Sequence, residues 1–331
     1  MAGALRHRGP DSDGFYRDDQ VHLGMRRLKI IDLEGSEQPI TNEDGSVILV
    51  CNGEIYNYKA LQALLEDRGH VLSTRGDAET IVHLYEEYGE ECVRYLDGMF
   101  AFAVWDRRKS RLLLARDRLG VKPLYWMKLP GKFVFGSEIR AVVASREIQP
   151  VLDEAAVIDY VSFPAVPAPM TIFQQIQALL PGHRLILDSD RVILEEYWDV
   201  DFVKASQARI PESECIEVVR HALREAVSKR LMSDVPLGAF LSGGIDSSAI
   251  VGLMGTLLDR PVKTFSIRFA GDDPAYTWYD DASFAVKIAE AFGTDHTEKV
   301  VTGDDIAGSL LRAVWAMDQP SGDALQYYIL S

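Results

Sequence analysis

Ser242-Gly243-Gly244-Ile245-Asp246-Ser247-Ser248 combines the residue types that hold a nucleotide phosphate. Two adjacent glycines let the backbone approach an anion with no Cβ in the way. Ser242, Ser247 and Ser248 add hydroxyl donors, and Asp246 adds a carboxylate suited to a magnesium ion bridging phosphates. The neighbours supply the geometry. Val235 to Leu241 is a short apolar run that reads as a buried strand, and Ala249 to Met254 begins a helix-like segment. A glycine-rich turn from strand into helix aims free N–H groups and the positive end of the helix dipole at one point. No Gly-Lys-Ser or Gly-Lys-Thr follows the glycines, so this is not the Walker pattern. A serine-rich turn with no ligand is the plain alternative; the strand before it and the helix after it weigh against that.

A second constellation lies in the first half of the chain. Asn52-Gly53-Glu54-Ile55-Tyr56-Asn57 follows Val47-Ile48-Leu49-Val50-Cys51, a continuous apolar run that predicts a strand buried on both faces. Upstream are Arg6-His7-Arg8-Gly9-Pro10-Asp11 and Arg27-Leu28-Lys29-Ile30-Ile31-Asp32. Downstream are Gly76-Asp77-Ala78-Glu79-Thr80, Gly98 to Ala103 and Arg116 to Tyr125.

The serine-glycine loop resembles the pyrophosphate-binding loop of the ATP pyrophosphatases, which cleave ATP between the α- and β-phosphates. The first-half motifs resemble the glutaminase domain of class II (N-terminal-nucleophile) amidotransferases. In this order, from about Arg6 to Ser331, the two together look like the layout of the glutamine-hydrolysing asparagine synthetase family. The implied fold is an α+β sandwich of two sheets (αββα) of N-terminal-nucleophile type over residues 1–198. A linker at 199–211 and an α/β doubly wound parallel-sheet nucleotide-binding domain at 212–331, incomplete, would follow.

The resemblance assigns roles that suit the chemistry of these residues. Glutamine presents an α-carboxylate, an α-ammonium and a side-chain amide. Arg27 can grip the carboxylate with its planar fork. Glu54 and Asp77 can neutralise the ammonium, while the Asn52 side-chain amide and the Gly53 N–H form an oxyanion hole. Taken singly, Arg27 also reads as a surface arginine beside Arg26, and Asp77 as a helix N-cap before Ala78 to Tyr88. In the second domain Ser242, Gly243, Gly244, Asp246, Ser247 and Ser248 would hold ATP, with Asp246 on Mg2+ through the pyrophosphate. Leu241 and Ile267 align with adenine-contacting positions, although both are also plain buried-strand residues.

By resemblance, the second domain would activate the β-carboxyl of aspartate as an acyl-adenylate. Ammonia from glutamine would attack it, giving asparagine, AMP and pyrophosphate. A related amide-forming or β-lactam-forming synthetase with another carboxylate substrate is the first alternative, and a non-catalytic remnant the second. The family's nucleophile is a cysteine directly after the initiator methionine, whereas Met1 to Leu5 here leads straight into the Arg6 motif. Cys51, Cys92 and Cys215 do not replace it: Cys51 reads as a small core thiol. The chain is therefore expected to be a piece of a longer synthetase, cut at both ends, with doubtful activity of its own. The resemblance also allows a homodimer through the first domain.

Composition bounds the remaining choices. With 331 residues, two domains are expected. An apolar content of 47% with 26% charged residues is that of a globular chain. The net charge of −15, with no basic stripe, argues against a nucleic-acid partner. No apolar run approaches the roughly 20 residues of a membrane span, and no signal-peptide pattern opens the chain, so a cytoplasmic location is expected. Helices are predicted at Tyr58 to Arg68 (Leu61, Leu64 and Leu65 inward), Ala78 to Tyr88, Asp153 to Val161, and Glu212 to Leu231 (Ile216, Val219, Leu223 and Val227 inward). Strands are predicted at 101–105, 111–116, 132–136, 185–187 and 192–194, and in the second domain at 235–241, 262–269 and 297–301.

Overall fold

The computed structural model describes residues 1–203, 211–270, 282–322 and 328–329. Most of the expected linker lies outside the described residues. Two compact units are present: Met1–Phe202 with Asp318–Pro320, and Val203–Met317 with Ser321–Ser331.

The first unit is built around an antiparallel six-stranded sheet. Its strands are β3 (Ile40–Thr41), β4 (Val47–Ile55), β5 (Gly98–Asp106), β6 (Arg111–Arg116), β10 (His183–Asp188) and β11 (Arg191–Glu196), in the order β11-β10-β6-β5-β4-β3. A second layer comprises the hairpin β1 (Ser12–Arg17) with β2 (His22–Arg27), and the sheet of β7 (Tyr125–Leu129), β8 (Lys132–Gly136) and β9 (Gln177–Ala178). Alternation along each strand divides the side chains between two faces. Ile48, Val50, Ala101, Ala103, Trp105, Leu112, Leu114 and Leu185 pack with Leu23 and Trp126 of the second layer. The opposite parity, Leu49, Cys51, Phe100, Phe102 and Val104, is equally buried, and α1 (Tyr58–Asp67) and α2 (Glu79–Tyr88) follow β4 in the chain, with α2 lying against β3 and β4. On the far side, Ile139 and Val142 of α3 (Ile139–Val143) pack on Met127. The layers run helix, sheet, sheet, helix, as the resemblance implied. α4 (Glu154–Ser162) starts at Asp153, whose Oδ1 accepts the N–H groups of Ala155 (3.0 Å) and Ala156 (3.3 Å).

Three details differ from expectation. The strand thought to end at Cys51 continues to Ile55, so Asn52, Gly53 and Glu54 are strand residues paired with Ala101, Phe100 and Met99. Leu61 and Leu65 are buried on α1, but Leu64 is 37% exposed, because it falls off the stripe that the two define. Asp77 does not cap α2: that position belongs to Ala78, and no side chain caps the helix.

The second unit contains α5 (Glu212–Arg230), β12 (Gly238–Phe240), α6 (Ile245–Leu257), β13 (Lys263–Phe269), α7 (Ala282–Phe292), β14 (Asp295–Val301) and α8 (Gly303–Ala316). Its three strands are parallel in the order β12-β13-β14. β12 is shorter than its apolar run, and Pro236, which has no N–H for a ladder, falls outside it. On α5, Val227 is buried against Met254 and Val262, whereas Ile216, Val219 and Leu223 are 44–56% exposed.

Candidate active site

A cavity of about 1460 Å³ in the first unit is lined by Arg27, Asn52, Gly53, Glu54 and Asp77, together with Cys51 and Lys122. The end of β4 carries three of these residues. Gly53 is required there because β5 approaches closely: a Cβ would stand 2.2 Å from the Met99 carbonyl oxygen and 2.6 Å from Phe100 Cα. Asp77 is buried, and its Oδ2 accepts the Ile55 N–H at 2.6 Å, which fixes the carboxylate beside the strand end. Asn52 Nδ2 and Glu54 Oε2 are both buried without a hydrogen-bond partner. One is a donor and the other an acceptor, and such groups carry a cost unless something else completes them.

The electrostatics follow from burial. Loss of solvent, together with the neighbouring Asp77 charge, pushes the Glu54 carboxyl up to about 8. Burial also raises Asp77, against the lowering effect of the Ile55 N–H. Burial lowers Lys122, and Glu54 opposes that shift. The cavity thus keeps the Glu54 carboxyl poised to ionise when a cation arrives.

Arg27 is buried at the end of β2 and holds the chain around it. Its Nη1 donates to the Gly35 carbonyl (3.0 Å), and its Nη2 to the carbonyls of Ile31 (2.8 Å) and Asp32 (3.0 Å). With both Nη2 hydrogens engaged, an incoming carboxylate would meet Nη1 or Nε rather than the outer fork. Asp32 secures the same turn from within, accepting from Gly35 N–H (3.1 Å) and Ser36 Oγ (2.6 Å).

Two pocket residues were not singled out by sequence. Gln38 extends the very short β3 by other means: its Nε2 donates to the Cys51 carbonyl (2.8 Å) and its Oε1 accepts the Cys51 N–H (2.6 Å). No local pattern announces this. Lys122 lay inside the Arg116 to Tyr125 motif, where its charge within an apolar stretch was the available signal. The rest of that motif shapes a loop, with buried Asp117 accepting the N–H groups of Phe100, Leu119, Val121 and Lys122.

Cys51 is a core residue. It is 3% exposed, and burial, with Asp77 and Glu54 nearby, holds its thiol well above the ordinary range. Cys92 is fully buried and pushed up to about 12. Neither thiol supplies a thiolate nucleophile near neutral pH.

In the second unit, Ser242–Gly244 join β12 to α6. Gly243 takes φ +78°, and a Cβ there would lie 2.6 Å from Ala285 N. The hydroxyls knit the turn: Ser247 Oγ meets Ser242 Oγ (3.0 Å), accepts the Ser242 N–H (3.3 Å) and donates to the Gly244 carbonyl (3.2 Å). Ser248 Oγ is buried without a partner. Asp246 stands exposed in the first turn of α6. Leu241 is 1% exposed and packs on Val251, Ala285 and Ala289, while Ile267 is half-buried near the end of β13.

Residues 1–198 match the family model of the glutamine amidotransferase domain. The chain belongs to the glutamine amidotransferase family. Residues 218–330 of the chain match the asparagine synthase family model. Two Bacillus subtilis proteins named asparagine synthetase (glutamine-hydrolyzing) are each 36% identical to it. The first alignment covers 97% of this chain and 54% of the relative, the second 98% and 50%. A Methanocaldococcus jannaschii protein named putative asparagine synthetase (glutamine-hydrolyzing) is 34% identical over 98% of this chain and 65% of its own. The chain therefore spans about half to two thirds of the length of these relatives. Among solved structures, a B. subtilis glutamine phosphoribosylpyrophosphate amidotransferase complexed with ADP and GMP aligns with 89% of this chain and 61% of its own, at 18% identity and a TM-score of 0.43. Among the described residues, no helix is long and apolar enough to cross a membrane.

Proposed function

We propose that this chain carries the glutamine pocket and the ATP loop of an asparagine synthetase-type ligase. The observation that carries the reading is the pair of buried, unpartnered atoms Asn52 Nδ2 and Glu54 Oε2 in one cavity with Arg27 and Asp77. In glutamine, the amide oxygen suits the Asn52 donor and the α-ammonium suits the acidic pair. Binding the ammonium would draw Glu54 into its ionised form. Asn52 Nδ2 and the Gly53 N–H then stabilise negative charge on the amide oxygen as the carbonyl is attacked. The attacking thiol is none of Cys51, Cys92 and Cys215: the first two are buried with raised thiols, and the third lies on α5 of the other unit.

The Ser242–Ser248 turn would hold the phosphates of ATP through backbone N–H groups at the start of α6. Its exposed Asp246 carboxylate and nearby hydroxyls form an all-oxygen donor set that fits Mg2+. The metal would neutralise phosphate charge as pyrophosphate departs. The acceptor carboxyl would be that of aspartate, as the names of the relatives suggest. The chain's own residues bind and polarise; a homodimer and a cytoplasmic setting complete the reading.

Calorimetry tests both halves. Glutamine is expected to bind the first unit with an affinity that falls in Asp77→Asn, and magnesium-ATP to bind the second with an affinity that falls in Asp246→Asn. Binding that ignores both substitutions would overturn the reading.

A further inference from the structure

A second cluster of chemistry-bearing side chains lies in the first unit, on residues the glutamine pocket does not use. Glu43 stands in the turn before β4, His70 follows the end of α1, and His83 and Glu86 share one face of α2 at a spacing of three. One ligand atom from each of the four lies within 4.8 Å of all the others. We propose that Glu43, His70, His83 and Glu86 form a binding site for a divalent first-row transition metal, with zinc preferred.

The distances suit a tetrahedral ion. His83 Nδ1 lies 3.1 Å from Glu86 Oε2 and 3.8 Å from Glu43 Oε2, while His70 Nδ1 lies 3.7 Å from Glu86 Oε2 and 4.0 Å from Glu43 Oε1. Zinc bonds of about 2.0–2.2 Å at tetrahedral angles separate ligand atoms by roughly 3.3 Å, so side-chain adjustments of under about an ångström would close the shell.

The surroundings point the same way, independently of the four ligands. Imidazoles that bind metals usually pair the other ring nitrogen with a carboxylate through a hydrogen bond; His70 does so here, and the His83 nitrogen faces a carboxylate beyond hydrogen-bond distance. His70 Nε2 is 3.1 Å from Glu87 Oε1, and His83 Nε2 is 3.7 Å from Glu79 Oε1. His83 is 1% exposed, and its Nε2 has no hydrogen-bond partner. Glu79 is itself immobilised, accepting from the N–H and hydroxyl groups of Ser73 and Thr74. The carboxylate ligands are oriented as well: Asn42 Nδ2 donates to Glu86 Oε1 (2.7 Å), leaving Oε2 for the ion, and the Val71 N–H donates to Glu43 Oε1 (3.1 Å). Glu43 is 45% exposed and opens the cluster to solvent, which gives an ion its path in. Two imidazoles with two carboxylates favour zinc over magnesium or calcium, which prefer all-oxygen shells.

Calorimetry with zinc chloride on the whole chain is the test, with His70→Ala, Glu43→Gln and magnesium chloride as comparisons. The expected result is one saturable zinc site per chain. Its affinity should drop at least about tenfold in each variant, and the native protein's melting temperature should rise with zinc but not with magnesium. Glu43 is exposed, so Glu43→Gln guards against a variant that merely misfolds. No saturable zinc binding, or zinc binding that both variants leave within about twofold, would overturn the proposal. Zinc-edge anomalous density at a place other than these four residues would do the same.

Discussion

Glu54 and Asp77 line a cavity where burial raises both carboxyls, whereas Asp246 stands in open solvent at the start of α6. In the cavity the polar groups are side chains fixed by strand β4 and left incomplete. In the Ser242 turn they are hydroxyls and backbone groups, of which those of Ser242, Gly244 and Ser247 satisfy one another and the Ser248 hydroxyl is left without a partner. The contrast reflects two ways of recognising charge. A small cationic group is held by carboxylates withdrawn from water, where each interaction is strong and sensitive to proton uptake. A polyphosphate is met by many weak donors and a dipole, each modest and screened by salt.

The largest expected effect lies in the cavity. Asp77→Asn keeps an acceptor for the Ile55 N–H but removes the charge, so glutamine affinity should fall by about 1.5–3 kcal/mol, the worth of a charged hydrogen bond, while the melting temperature stays close to native. Calorimetry and thermal melts read the two together. A large loss of stability with unchanged glutamine affinity would make Asp77 a structural residue only.

The next effect concerns pH. The folded Glu54 carboxyl is raised to about 8 from an ordinary value of 4.5. Its contribution to stability is therefore fully present below about pH 4.5 and is lost as pH rises through 8. Urea midpoints at pH 6 and pH 9 should fall more for the native protein than for Glu54→Gln. Glutamine affinity should rise over the same interval, because the ammonium prefers the ionised form, and that rise should vanish in the variant. Equal slopes in the two proteins would place the Glu54 carboxyl in ordinary solvent.

Smaller effects are expected at the turn. Asp246→Asn should reduce the magnesium-dependent part of ATP affinity and leave any magnesium-independent part in place; an unchanged magnesium dependence would move the metal elsewhere. Ser247→Ala, which removes the hydroxyl between Ser242 and Gly244, should weaken binding by about 1 kcal/mol. A tenfold or greater added loss in high salt would contradict the view that this hydroxyl acts as one neutral donor among many.

Much of the fold was legible because its signals are local. The strands at 111–116 and 132–136 and the helix opening at Asp153 depend on alternation, turn chemistry and one side chain's reach. Errors arose where a distant partner decided. Asn52, Gly53 and Glu54 break the apolar run, which predicts a strand end at Cys51, yet pairing with Met99 to Ala101 extends it. The α5 stripe has a good helical period, but burial of Ile216, Val219 and Leu223 requires something packed on them, and a period cannot supply that.

By itself, the sequence determined the motifs that mark both candidate sites and the order of the two family domains, since these are properties of type and spacing along one chain. Tertiary structure decided the rest. It turned Arg27 toward the carbonyls of its own loop, brought Gln38 to the Cys51 backbone, set Lys122 beside Glu54, and gathered Glu43 and His70 around α2. The physical reason is that desolvation and hydrogen-bond geometry depend on distance in space. Residues tens of positions apart acquire shifted charges and shared ligands once the chain has folded and excluded water between them.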